Sequence, residues 1–161
     1  SIGAAAINAL LCPEEVRPIE AFSFVMEKAR ASRKVALIGY FAPLIDLFNQ
    51  EGIDHVTFEW VPHPGTIPSS FEEEILPGCD LVVISGTTFV NHTLERILQM
   101  GKGYKMVIGP TTPLTPVLFE YGADAIAGVK VKDPRGALRV ISQGGGRRNL
   151  TPYIDFVLME K

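Results

Sequence analysis

Four short apolar runs recur along this chain, and each of them ends at or next to a glycine, at a serine or just before a proline. They cover residues 34–40, 55–61, 80–85 and 104–109, and two weaker candidates cover residues 125–131 and 153–158. A continuous apolar run of this length is typical of a strand buried on both faces, as in a parallel sheet. The chain is therefore predicted to contain a buried central sheet.

Helical patterns separate these runs. Apolar side chains fall at helical spacing in residues 44–48 and 94–98, and capping signals at Ser70 and Asn91 indicate helix starts. Strands that alternate with helices at this spacing need crossover connections, which build a parallel sheet. We therefore predict an α/β fold, a doubly wound and mainly parallel Rossmann-like sheet with helices on both faces.

The first part of the chain has a different pattern. Residues 13–30 predict a helix with Pro18 in its first turn, and the small apolar residues 2–11 predict another. We therefore divide the chain into a helical lead-in over residues 1–31 and a Rossmann-like domain over residues 32–161. Because the lead-in starts with an uncapped apolar helix and no Met, we expect it to be the end of a longer chain.

Composition and charge exclude several classes of function. With 161 residues, 47% of them hydrophobic, the chain can form one domain with a sizeable core. A formal net charge of −3 argues against nucleic acid as a partner, and no apolar stretch reaches the roughly 18 residues of a membrane span. Cys12 and Cys79 form no CxxC motif and indicate buried thiols in a reducing compartment, so we expect a cytoplasmic protein. The composition leaves homo-oligomerisation open.

Ligands of doubly wound folds bind beyond the carboxyl ends of the strands, near the point where the strand order reverses. The turn after the first strand holds Gly39 and then the bulky Tyr40 and Phe41, so it lacks the G-x-G-x-x-G phosphate cradle. Glu59 ends the second strand, where an acidic residue often holds ribose hydroxyls. Glu59 is therefore a candidate for hydroxyl binding, although acidic residues also end strands as solvated termini.

Two hydroxyl-rich turns follow the next two strands. The first contains Gly86, Thr87, Thr88 and Asn91, and the second contains Pro110, Thr111 and Thr112. Backbone N–H groups at a strand-to-helix turn can bind an anion, and neighbouring turns of this kind would form a polar pocket. The same residues also serve as ordinary turn and capping residues, and the sequence leaves both interpretations open.

Candidate metal ligands are few. None of the three histidines takes part in a usual zinc-binding spacing. Glu59 and His63 lie four positions apart, but Pro62 and Pro64 exclude a helix there. This pair can meet only through a loop, and Glu59 and His63 are the metal-site candidates that remain.

Several phrases of this sequence together resemble the putative heavy-metal chelation domain family, an uncharacterised group. They begin at Gly39 (GYFAPL), Ile84 (ISGTT), Asn91 (NHTLE), Gly109 (GPTTPLTPVLFE) and Tyr121 (YGADAIAG), and GGGR at residues 144–147 continues the match. The resemblance implies a Rossmann-like domain that follows an enolase-N-terminal-like domain, with a proposed site between the two. It also implies that residues 1–11 are the end of that first domain, whose ligands lie outside this chain.

These observations predict binding of a small polar or anionic ligand at the carboxyl ends of the strands, with heavy-metal chelation as one form of it. The cofactor would be a transition-metal ion or a metal chelate, and the predicted ligand-binding residues are Gly39, Tyr40, Glu59, Gly86, Thr87, Thr88, Asn91, Pro110, Thr111 and Thr112. Two alternatives remain open. One is an enzyme that uses a nucleoside-like cofactor, such as a transferase, and the other is a non-catalytic interaction module in which the turns are purely structural.

Overall fold

The computed structural model describes residues 2–11, 13 and 16–161 of the chain, without the side chain of Arg147. Cys12, one of the two predicted buried thiols, lies outside the described residues. Cys79 is a free thiol and is buried, as the sequence predicts. Among the described helices, none is both long enough and apolar enough to cross a membrane.

Eight strands in the described residues form one sheet. They are β1 (Arg17–Pro18), β2 (Val35–Ile38), β3 (His55–Glu59), β4 (Thr66–Pro68), β5 (Leu81–Ser85), β6 (Tyr104–Ile108), β7 (Ala125–Val131) and β8 (Ile154–Glu160). Their order across the sheet is β1-β8-β7-β6-β5-β2-β3-β4. All pairs from β7 to β4 are parallel, whereas β8 runs antiparallel to both β7 and β1. The predicted α/β fold with a mainly parallel sheet is confirmed.

The connections between strands are mostly helical. The helices are α1 (Ile2–Leu10), α2 (Ala21–Arg30), α3 (Ala42–Glu51), α4 (Glu72–Ile75), α5 (Thr87–Val90), α6 (Leu94–Leu98), α7 (Val117–Glu120), α8 (Pro134–Ser142) and α9 (Arg147–Leu150). Three short 3-10 turns extend two of these connections: Ser69–Phe71 and Leu76–Gly78 lie between β4 and β5, and Thr151–Tyr153 lies between β7 and β8. The helices between β4 and β6 are short, with 4 residues in α4, 4 in α5 and 5 in α6, whereas α2 and α3 have 10 residues each.

Helices cover both faces of the sheet, as predicted, and this explains why the strands are apolar without alternation. All four residues of β2 are buried. Val35 and Leu37 pack with α2 and α3 on one face, whereas Ala36 and Ile38 pack with α6 and α7 on the other. A strand between two helical layers has no solvated face, so every position must be apolar.

Two elements differ from the sequence prediction. The predicted helix over residues 13–30 is wrong in its first part, because Arg17 and Pro18 pair with β8 at the edge of the sheet. Proline is tolerated on an edge strand, and the helix starts only at Ala21, where the carboxylate of Glu20 accepts a bond from the N–H of Ser23 at 2.7 Å. The strand β4 has no apolar run and was not predicted.

The segment before residue 32 makes two kinds of contact with the sheet. β1 extends the sheet at one edge, and α2 contributes buried side chains to the core. In contrast, α1 has no buried residue. The proposed domain boundary between residues 31 and 32 stays a prediction, but α2 belongs to the packed layer on one face of the sheet.

The strand order reverses between β2 and β5. From β2 the chain proceeds to β3 and β4 on one side and then returns to place β5 on the other side of β2. The turns that follow β2 and β5 therefore diverge from neighbouring positions, which opens a crevice at their carboxyl ends. Gly39, the first residue after β2, has a φ of 106°, and a Cβ there would lie 2.9 Å from the Cβ of Ser85.

We expect Gly39→Ala to lower the free energy of unfolding by about 1–3 kcal/mol, because it adds both backbone strain and a contact with Ser85. Urea denaturation of the variant and the parent measures this loss. Gly78→Ala is the matched control, since a Cβ at Gly78 meets nothing within 4 Å. Equal losses in the two variants would contradict the close approach of the two turns.

Candidate functional site

A small polar cleft lies where the strand order reverses, and we call it the switch-point cleft. It encloses about 60 Å3 at the carboxyl ends of β2, β3 and β5. Its lining residues are Ile38, Gly39, Phe58, Glu59, Trp60, Ser69, Glu72, Thr87, Thr88, Asn91, Thr93 and Arg96. Five of the ten predicted ligand-binding residues, Gly39, Glu59, Thr87, Thr88 and Asn91, thus meet at one place in the structure.

Glu59 joins the turns that follow β2 and β3. Its Oε2 accepts a bond from the N–H of Tyr40 at 2.9 Å, and its Oε1 accepts one from the N–H of Trp60 at 2.8 Å. Because an ionised carboxylate has about four acceptor positions, these two bonds fix its orientation and leave capacity for a ligand. The carboxylate is therefore both a loop anchor and a preoriented acceptor at the cleft.

Aromatic side chains lie in the loops that follow β2 and β3, where Trp60 lines the cleft and Tyr40 comes directly after the lining residue Gly39. The rings of Tyr40 and His63 are stacked, with centroids 4.5 Å apart and planes inclined by 12°. The hydroxyl of Thr66 accepts from the N–H of His63 at 3.0 Å and donates to its carbonyl at 2.8 Å, which holds this proline-flanked loop. Trp60 is 66% exposed. These rings offer flat surfaces against which a bound molecule could stack.

Several polar side chains of the hydroxyl-rich turn after β5 form hydrogen bonds within the turn itself. The hydroxyl of Thr88 donates to the carbonyl of Ser85 at 2.7 Å, and the side-chain oxygen of Asn91 accepts from the hydroxyl of Thr93 at 2.7 Å. These two side chains act as turn residues. The hydroxyl of Thr87 shares a hydrogen bond of 2.8 Å with that of Ser85, and Thr87 is exposed, whereas Thr88 is buried.

The two hydroxyl-rich turns do lie side by side, but they do not form one pocket. A Cβ at Gly86 would lie 2.5 Å from the hydroxyl oxygen of Thr112 and 2.9 Å from that of Thr111, so the missing side chain permits this approach. Pro110, Thr111 and Thr112 do not line the switch-point cleft. Pro110 and Thr112 instead line a larger cavity beside α1.

The charges at the cleft disfavour an anion. The N–H of Gly86, one candidate donor for an anion, is bonded to the carbonyl of Ile108 at 2.8 Å. Two carboxylates, Glu59 and Glu72, line the cleft with one guanidinium, that of Arg96. The arrangement therefore favours a ligand group that donates hydrogen bonds or carries positive charge over an anionic group.

Sequence reasoning missed Glu72 and Arg96. Glu72 is only 2% exposed, and its Oε2 is 2.6 Å from Nη2 of Arg96, whose Nη1 lies 3.1 Å from Oε1 of Glu73. Burial raises the pKa of the Glu72 carboxyl, and Arg96 opposes this shift. The acidic run at residues 72–74 was visible in the sequence, but its partner lies on another helix and only the fold brings them together.

A family model matches residues 21–160, which include all eight strands except β1. The chain belongs to the DUF364 family, described as putative heavy-metal chelation. The resemblance found in the sequence is thereby confirmed. An uncharacterised protein of Methanocaldococcus jannaschii is 33% identical over 148 residues, which are 86% of this chain and 57% of that protein. The chain therefore spans little more than half the length of this relative.

Two crystal structures of family members have the same fold. A protein of unknown function from Desulfitobacterium hafniense is 35% identical, with a TM-score of 0.82, over 100% of this chain and 67% of that one. A protein of unknown function from Pyrococcus horikoshii is 24% identical, with a TM-score of 0.83, over 99% of this chain and 68% of that one. These likenesses support the Rossmann-like architecture, and neither structure carries an assigned activity.

The donor set of the cleft does not fit a soft heavy-metal ion by itself. Within the described residues, no group of three or more His, Cys, Asp or Glu side chains is arranged to hold a metal. Cys79 lies just before β5, at the amino ends of the strands, whereas the cleft lies at their carboxyl ends, and burial raises the pKa of its thiol. Soft metals prefer thiolate ligands, whereas the cleft offers carboxylate, hydroxyl and amide groups.

The raised pKa of Glu72 predicts how stability depends on pH. A carboxyl whose pKa is higher in the folded than in the unfolded state favours folding when protonated, and this contribution is lost as pH rises above its ordinary value of 4.5. We therefore expect the thermal stability of the parent, relative to Glu72→Gln, to fall between pH 4.5 and pH 7. Differential scanning calorimetry measures both proteins across this range.

Glu74→Gln, at an exposed neighbour, is the control for a general change in net charge. A relative stability of the parent that instead rises with pH would show that the ion pair with Arg96 outweighs burial.

Proposed function

We propose that the switch-point cleft binds one polar group of a small organic ligand, and that Glu59 is its principal acceptor. The observation that carries this proposal is the carboxylate of Glu59, which two backbone N–H groups hold at 2.9 and 2.8 Å at the crevice of the sheet. An acceptor that is already oriented loses little conformational entropy when a ligand binds. Doubly wound sheets commonly bind ligands at this position.

The size of the cleft limits what enters it. Pockets for whole drug-sized ligands usually measure roughly 300–1,000 Å3, whereas this cleft encloses about 60 Å3. One hydroxyl, ammonium or metal-bound group of the ligand would therefore enter, and the rest would lie against the aromatic side chains at the mouth. Tyr40 and Trp60 are exposed there and could cover a flat or ring-shaped portion.

A metal chelate is the form of this ligand that agrees with the family description. Glu59 bonds to the backbone of Tyr40 and His63 stacks on its ring, so both candidate metal ligands are anchored to one residue. A carboxylate and an imidazole are suitable ligands for several transition metals, but two donors leave most coordination positions unfilled. A metal that is already held by an organic chelator would bring the remaining donors with it.

A nucleoside is the second candidate ligand, favoured by the position of Glu59 at the end of β3. An acidic residue at this point of a Rossmann-like sheet often accepts bonds from ribose hydroxyls. The bulky residues after Gly39 and the paired N–H of Gly86 leave no phosphate cradle, so the ligand would lack phosphates. An enzyme that uses a nucleoside-like cofactor remains the corresponding alternative function.

Isothermal titration calorimetry tests the proposal with three probes: nickel chloride, bis(ethylenediamine)nickel(II) chloride and adenosine. We expect saturable heat with the cationic bis(ethylenediamine)nickel(II), whose N–H groups donate hydrogen bonds, and we expect Glu59→Gln to weaken its binding by about tenfold or more, since a hydrogen bond to a charged group is worth roughly 1.5–3 kcal/mol. Asp46→Asn, which removes an exposed carboxylate outside the cleft, should leave the affinity unchanged.

The outcomes separate the candidates. Saturable binding of adenosine that is sensitive to Glu59→Gln would favour the nucleoside over the chelate. Equal effects of Glu59→Gln and Asp46→Asn would remove Glu59 from the site. No saturable heat with any of the three probes would contradict ligand binding at the cleft and would support the interaction module.

A further inference from the structure

A cavity distinct from the switch-point cleft lies between α5, α6 and α7 and also borders α1, and we call it the His92 cavity. It encloses about 470 Å3, which is in the usual range for small-molecule sites. Much of its lining is apolar, for example the leucines Leu94, Leu98 and Leu118. Thr88 lines both this cavity and the cleft, whereas the other lining residues of the two differ.

His92 lines this cavity and has an unusual backbone conformation. Its φ is 64°, and none of the other described non-glycine residues has a left-handed φ. His92 comes two residues after α5, where the N–H of Thr93 donates to the carbonyl of Thr88 at 3.0 Å. This bond is that of a Schellman turn, whose left-handed position is usually glycine because glycine has no Cβ.

A glycine at residue 92 would therefore form the same turn with less backbone strain. The hydrogen bond of the turn joins backbone atoms of Thr88 and Thr93, so the imidazole of His92 contributes nothing to it. The imidazole also forms no hydrogen bond, ion pair or ring contact with the other described residues. Because backbone strain of this kind is concentrated at ligand sites, the strained histidine indicates that its side chain serves the cavity.

Glu95 and Tyr121 supply two more exposed polar groups to the lining. Neither the carboxylate of Glu95 nor the hydroxyl of Tyr121 has a hydrogen-bonding or charged partner among the described residues. A carboxylate and a neutral imidazole both accept hydrogen bonds, and the face of a phenol ring attracts cations. Together with His92, these side chains therefore favour a ligand group that donates hydrogen bonds and carries positive charge.

We propose that the His92 cavity is a second ligand site, which binds a small organic amine with an apolar body. The ammonium group would donate hydrogen bonds to the Glu95 carboxylate and the His92 imidazole, and the ring of Tyr121 would lie against it. The apolar body would pack against the leucines of the cavity. An anion is disfavoured, because the described part of the lining contains the charge of Glu95 and no lysine or arginine.

Three phenyl compounds of similar size test this assignment in the full 161-residue chain. At neutral pH, phenethylamine is a cation, 2-phenylethanol is uncharged and 3-phenylpropanoate is an anion. We expect phenethylamine to bind saturably and about fivefold more tightly than 2-phenylethanol, as an ion pair that is open to solvent implies. Ligand-observed NMR titration measures the three affinities. Equal affinity for the amine and the alcohol would overturn the proposal, and so would tighter binding of the carboxylate.

Substitutions of single carboxylates locate the amine. Glu95→Gln should lower the affinity for phenethylamine to that for 2-phenylethanol. Glu120→Gln is the matched control, because Glu120 is exposed beside Tyr121 but does not line the cavity. Equal losses in these two variants would reduce the effect to net charge and overturn the proposal. A loss in Glu59→Gln in place of Glu95→Gln would put the amine in the switch-point cleft, which also overturns it.

Substitutions of His92 separate its side chain from the turn. We expect His92→Gly to raise the melting temperature by about 2–4 °C, because it relieves backbone strain, and to weaken phenethylamine binding by about threefold. His92→Ala keeps a Cβ at the left-handed position, so it should weaken binding equally without this gain in melting temperature. Differential scanning fluorimetry measures the melting temperatures. Unchanged phenethylamine affinity in both variants would leave His92 a turn residue only and overturn the proposal.

Discussion

The parallel pairing of β2 with β5 is the contact on which the remaining structure depends. Four residues of β2 pair in register with Leu81–Ile84 of β5, and all eight side chains are buried. This pairing joins the part of the sheet that lies towards β4 to the part that lies towards β8. Because the chain leaves the two strands in opposite directions, the same pairing also creates the crevice in which the switch-point cleft lies.

The polar groups near this crevice are held by two different means. Glu59 bonds to backbone N–H groups of two turns, and the buried Glu72 is paired with Arg96. These charges are compensated, which allows a polar cleft to exist beside a tightly packed core.

The elements that could be predicted from the sequence are those whose formation depends on a local pattern of residues. The apolar runs at residues 34–40, 80–85 and 104–109 contain β2, β5 and β6, since burial on both faces demands apolar side chains at every position. The short β4 was missed because its pairing depends on the neighbouring β3 and not on hydrophobicity. Pro18 was predicted to lie in a helix because proline is favoured in a first helical turn. The local sequence does not reveal that Pro18 instead pairs with β8 at the edge of the sheet.

The sequence by itself determined the fold class, the location of the polar residues at strand ends and the absence of a phosphate-binding glycine loop. These properties follow from periodicity and from residues adjacent in the chain. Only the tertiary structure decided which polar residues share a cavity. It brought Glu72 and Arg96 to Glu59, directed Thr112 away from that cleft and placed it with Asn8 in another cavity. The physical reason is that contacts across the sheet join residues through strand order and crossover length, which no local pattern records.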